Sequence, residues 1–228
     1  MKRELPFREI FYTGFFVALL TSVLAPAQAA VVTTNESGMD DIFSQPSFGT
    51  HTIDIRFTPT FTLRVDPSLL RIDDDAELSA LFDMAPSASP IANMFFVDAI
   101  NFCGGVSGPS IIGCGNQPGN RLAVESGVAA SSNGAALNAH ELGHNLGLSH
   151  VGTSGTNLMN PFGFGNTTLD ASQVNTILMS GLVQTDANGR FIQITPILVS
   201  AVPVPATLPL ALSALSVLGL IGRRRQAA

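Results

Sequence analysis

Between residues 50 and 200 the apolar positions fall into alternating, continuous and helical runs that together predict an α+β domain. Thr52-Ile53-Asp54-Ile55-Arg56-Phe57 alternates strictly, which places Ile53, Ile55 and Phe57 on one face of a half-buried strand. Phe61 to Val65 alternates likewise beyond Pro59, as a second strand or as the first continued past a bend. Asp73-Asp74-Asp75 opens a helical pattern through Leu78, Leu81 and Phe82, and Ile91 to Ile100 is a near-continuous apolar run suited to a strand covered on both faces. Arg121-Leu122-Ala123-Val124-Glu125 reads as a further short strand. A helix follows from Ser132 or Asn133, either of which can cap it, through Ala135, Ala136, Leu137 and Ala139. Asp170 and Gln173 have capping-box spacing ahead of a helical face made by Val174, Ile177, Leu178 and Leu182. Phe191 to Val199 is a last apolar strand packing back on the domain, whereas residues 31–50 form a polar, poorly patterned lead.

The two ends read differently. Lys2, Arg3 and Arg8 precede the apolar run Phe15 to Leu24, and Ala27-Gln28-Ala29 supplies a small-x-small cleavage site. Residues 1–29 therefore read as a secretory signal peptide, the apolar run being too short to span ~30 Å of hydrocarbon. At the other end Val202-Pro203-Val204-Pro205-Ala206-Thr207 leads into Leu208 to Ile221 and then Arg223-Arg224-Arg225. That segment resembles the bacterial PEP-CTERM tail, with Val204 where the usual glutamate stands. The resemblance implies an exported, extracellular or cell-surface bacterial protein, transiently membrane-anchored, with an exosortase-like membrane sorting enzyme as a partner; a permanent tail anchor is the alternative. The expected organisation is a signal peptide at 1–29, a catalytic domain at 30–200 and a sorting tail at 201–228.

Taking both ends away leaves five arginines, no lysine and fifteen acids, a net charge of −10. Such a surface repels nucleic acid and anionic lipid, so neither is an expected partner. In an exported chain Cys103 and Cys114 are expected to close the glycine-rich loop between them as a disulfide. The rival, a cysteine capping a metal in a latent form, needs a pro-segment longer than the stretch before the first strand. The Asp73–Asp75 triplet offers carboxylates for calcium, but acids also belong at a helix N-terminus, and the cap reading is preferred.

The chemistry concentrates in His140-Glu141-Leu142-Gly143-His144-Asn145-Leu146-Gly147-Leu148-Ser149-His150, which reads H-E-x-x-H-x-x-G-x-x-H and holds three of the four histidines of the chain. Residues four apart share a helix face, so His140 and His144 can point two imidazoles at one ion. Gly147 can take positive φ, letting the chain leave the helix and return His150 as a third ligand. Three neutral nitrogens and one open position are the donor set of a catalytic zinc.

This stretch resembles the zinc site of the metzincin metallopeptidases, and Asn157-Leu158-Met159-Asn160-Pro161 resembles their methionine turn, with Met159 as the methionine. The resemblance implies a metzincin-like zincin domain, with a twisted, mostly parallel sheet, an active-site helix and a C-terminal helix. It implies one catalytic Zn2+ on His140, His144 and His150, and hydrolysis of a protein or peptide substrate by zinc-activated water with Glu141 as general base. It also makes Arg121, Leu122, Ala123, Val124 and Glu125 the expected sheet edge for an extended substrate, and Pro161-Phe162-Gly163-Phe164-Gly165 the expected wall of a specificity pocket, unless its two phenylalanines plug the core. The tyrosine that some metzincins carry two residues after the methionine is Pro161 here, and Val151 after the third histidine fits none of the usual subfamilies. The alternatives are a zinc-stabilised matrix or adhesion module with a vestigial site, and a zinc hydrolase acting on a non-peptide amide.

Overall fold

The computed structural model describes residues 30–152, 155–163 and 165–202; the expected signal peptide, residues 203–228 of the expected tail, and Phe164 lie outside them. In chain order the elements are α1 (Glu36–Phe43), β1 (Ile53–Phe57), β2 (Phe61–Val65), β3 (Arg71–Ile72), α2 (Asp75–Asp83), β4 (Ala92–Val97), β5 (Ala99–Ile100), β6 (Phe102–Cys103), β7 (Val106–Ser107), β8 (Gly113–Gly115), β9 (Arg121–Glu125), α3 (Ser126–Ala129), α4 (Gly134–Asn145), α5 (Ala171–Leu178), β10 (Val183–Asp186) and β11 (Gly189–Ala201).

The last strand is the spine of the fold. The run Phe191 to Val199 lies inside β11, which sits in the middle of a seven-stranded sheet of order β1-β11-β4-β9-β8. β1 and then β2 pair in parallel with successive halves of one edge of β11, while β10 and β4 take the other edge. β9 continues the sheet in parallel beyond β4, and only β10 and β8 run antiparallel. The mostly parallel sheet, the helix carrying the histidines and the C-terminal helix are those expected. β11 runs one residue into the segment read as tail, and the Val202 N–H donates to Val65 O at 3.0 Å. Among the described residues no helix is long and apolar enough to cross a membrane.

Strict alternation in the strands gives the sheet two apolar faces. Ala92, Met94 and Phe96 of β4, Leu122 and Val124 of β9, and Ile192 and Ile194 of β11 meet α1, α4 and α5. Phe95 and Val97, Ala123, and Ile197 and Val199 meet α2 and the segment Leu69–Ile72 on the opposite face. Each fully buried phenylalanine of that kind contributes roughly 2–3 kcal/mol. α2 is capped by Asp74, whose side chain accepts from the Glu77 N–H at 2.9 Å, while Asp73 accepts from Asn101 at 2.6 Å. The triplet thus works as a helix start. α5 carries the expected capping box between Asp170 and Gln173, but it ends at Leu178, so the buried Leu182 belongs to the connection into β10.

Two expectations need correction. The lead at 31–50 contains α1, whose Met39, Ile42 and Phe43 are buried at the i, i+3, i+4 spacing of one helix face. The strand Arg121–Glu125 is not a sheet edge: β9 is flanked by β4 on one side and by β8 on the other, and Leu122, Ala123 and Val124 are buried. The edge is β8, the strand Gly113-Cys114-Gly115 inside the glycine-rich loop. Cys114 points away from α4 and is bonded to Cys103, as expected of the pair.

Candidate metal centre

The helix α4 packs along β8 and β9 and ends in a motif that builds the site. Gly147, at φ 98°, lies just past the helix; its N–H donates to His144 O at 2.9 Å, and the Leu148 N–H donates to Gly143 O at 2.9 Å. These are the two bonds of a Schellman turn, which needs a residue in the left-handed region and so selects glycine. The start of the helix differs from expectation: Asn133 holds the cap position without a side-chain hydrogen bond.

The turn reverses the chain and returns His150 to the helix. His150 Nε2 lies 3.2 Å from His140 Nε2 and 3.1 Å from His144 Nε2. On the far side of each helical ring, His140 Nδ1 is 2.6 Å from Leu158 O and His144 Nδ1 is 2.9 Å from Leu148 O. A carbonyl only accepts, so both Nδ1 atoms carry the proton and both Nε2 atoms present lone pairs to the common centre. Burial pushes the His140 pKa down to about 4 against the opposing pull of the Leu158 carbonyl, and burial likewise lowers His144 and His150. All three rings are therefore held neutral. Ligands of a tetrahedral zinc at ~2.0–2.1 Å stand roughly 3.3 Å apart, close to the spacing seen here, so the three side chains fit that ion.

Two neighbours complete the arrangement. Glu141 is buried, and burial pushes its carboxyl up to about 8. Met159 is fully buried beneath α4 against Gly143, where a Cβ would come within 2.7 Å of its Sδ. The turn around Met159 is tied to both ends of the histidine motif. Leu158 O holds His140, and the Val151 N–H beside His150 donates to Met159 O at 3.0 Å. Of the expected pocket wall, Phe162 is 81% exposed and so does not plug the core.

Several supports were invisible to motif reading. Asn157 and Gln173 exchange two amide hydrogen bonds of 2.7 and 3.1 Å, which fasten the methionine turn to the capping box of α5. Asn145 donates from Nδ2 to Asn116 O and Arg121 O, both at 2.9 Å, and Gln117 donates to Ser149 Oγ at 2.6 Å. The turn between β8 and β9 is thereby held to the end of α4 and to the residue before His150. The distinguishing signal was available only for Gln173, whose capping-box place was legible.

The sequence model of the family described as metallo-peptidase family M12B, reprolysin-like, matches residues 67–151, which takes in β8, β9, α4 and all three histidines and stops before the methionine turn. Neither the curated proteins nor the solved structures contain a match to the chain. The family match and the cluster of His140, His144 and His150 together support a metzincin-like zinc peptidase.

Proposed function

We propose that the chain is an exported zinc-dependent endopeptidase, with His140, His144 and His150 holding the ion and Glu141 acting as general base. The observation that carries this reading is the convergence of three neutral imidazoles, two with Nδ1 committed to carbonyls, beside a buried and otherwise unused carboxyl. A bound zinc supplies Lewis acidity toward a carbonyl oxygen and toward water. Glu141 supplies the proton traffic: one carboxylate oxygen takes the proton of the attacking water, and the same oxygen returns it to the departing amine. Burial raises the affinity of Glu141 for a proton, and a cation held by the three histidines would lower it again toward the carboxylate that the step needs. The Leu158 carbonyl, in the turn that buries Met159 under Gly143, keeps the His140 ring oriented.

A substrate peptide in extended form adds to the outer edge of β8, the strand end of the sheet beside α4, in the role first expected of Arg121–Glu125. Phe162, exposed after the methionine turn, offers an apolar surface to a side chain of that peptide. Export through residues 1–29 and sorting of residues 201–228 by an exosortase-like enzyme rest on the sequence of those segments. The test is a mixed peptide library digested by the purified chain, followed by mass spectrometry. Cleavage that a chelator removes and added zinc restores supports the reading, and intact peptides under all conditions refute it.

A further inference from the structure

Among the described residues no hydrogen bond orients the Glu141 carboxyl, which is buried. What surrounds the side chain instead is the backbone of β8. A Cβ placed on Gly113 would lie 2.5 Å from Glu141 Cδ and 2.6 Å from its Cγ, and one on Gly115 would lie 2.7 Å from Glu141 O. Carbon atoms in ordinary contact stand ~3.5–4.0 Å apart, so the carboxyl occupies space that any other residue at 113 would fill. The strand alternates, and the residue between these glycines faces the other way, where Cys114 is bonded to Cys103. The β8 backbone is further held by its pairing to β9 and by the Glu125 N–H, which donates to Ile112 O at 2.9 Å. The slot is therefore open on the carboxylate side and fixed from behind.

We propose that Gly113 is a positioning residue for Glu141: its missing side chain forms the slot that sets where the carboxylate stands, and the Cys103–Cys114 bond keeps that slot in place. This rests on the peptidase reading for its catalytic consequence but not for the contact itself. Gly113 is not among the glycines in the left-handed region, so alanine suits its backbone and Gly113→Ala probes space alone. The added methyl group displaces the carboxyl by about 1 Å, a shift that lowers turnover on the order of a hundredfold when the displaced group takes part in the reaction. The outer edge of β8 and the three histidines are left as they are.

The experiment combines steady-state kinetics and zinc content for Gly113→Ala with a double-mutant cycle on stability. Wild type, Gly113→Ala, Glu141→Ala and the double variant are unfolded in urea with chelator present. We expect kcat to fall about a hundredfold while KM and zinc content stay within about twofold of wild type. We expect the loss of urea midpoint caused by Gly113→Ala to be largely absent in the Glu141→Ala background, where the obstructing carboxyl is gone. A kcat within about threefold of wild type, or an equal loss of midpoint in both backgrounds, overturns the assignment. Should Gly113→Ala fail to fold, the double variant decides: its folding supports the slot, and its failure overturns it. Absence of cleavage by the wild type would count against the peptidase reading alone, because the urea cycle reads the contact directly.

Discussion

Replacing Glu141 with glutamine keeps the shape of the side chain and removes an ionisable group that burial holds at a pKa of about 8, against an ordinary value of 4.5. In the metal-free protein the folded state grips that proton more tightly than the unfolded state does. Below pH 4.5 both states are protonated and the group makes no difference to the pH dependence. Between pH 4.5 and 8 the unfolded chain gives up its proton while the folded one keeps it, so wild-type stability declines as the pH rises and levels off above 8. At pH 7 the loss amounts to ~3 kcal/mol, since each pH unit inside the window is worth ~1.4 kcal/mol. The three histidines titrate in wild type and variant alike, and their contributions cancel in the difference. Urea unfolding in the presence of chelator, at half-unit steps from pH 4.5 to 8, measures that difference. Glu141→Gln should gain on wild type steadily across the window, by ~3 kcal/mol at pH 7. A gap that stays constant with pH would show that Glu141 ionises freely in the fold, and the argument from its burial would be wrong.

Two further substitutions test the supports of the site. Gly147→Ala meets only ordinary contact with Thr176 but must hold a side chain at φ 98°, so it should cost ~1–2 kcal/mol and weaken zinc binding by moving His150, as thermal melts and chelator competition would show. Gln173→Ala removes both of its bonds to the part-buried Asn157 amide, whose Oδ1 keeps the Met159 N–H at 2.9 Å, and breaks the capping box; a loss of ~2 kcal/mol in urea is expected, together with weaker zinc binding as the turn carrying Leu158 loosens.

What was legible in the chain was whatever rests on side-chain type at fixed local spacing. The histidines one helical turn apart, the positive-φ glycine, the buried methionine and the Asp170–Gln173 box all depend on residues within a few positions of each other. The alternation of Ile53 and Ile55 and the run across β4 named their strands for the same reason. The edge strand was missed because Gly113 and Gly115 have no side chains to alternate, and its place is set by pairing with Val124 and Leu122 across a loop. β9 was expected at the edge from the resemblance; its two charged residues, Arg121 and Glu125, stand at its ends, where the Glu125 carboxylate accepts from the Ile100 N–H at 2.8 Å. The strand at Phe191 to Val199 was recognised, but its central position depends on partners as far away as Ile53 and Ala92. α1 escaped notice because eight residues with three acids give only three apolar positions to read.

In the proposed reaction the histidines hold the ion and Glu141 performs the proton transfer, two tasks borne by different residues. Measuring zinc content and peptide cleavage side by side in Glu141→Ala separates them. Glu141→Ala should bind as much zinc as wild type and cleave nothing. Cleavage that persists without the Glu141 carboxylate would contradict it.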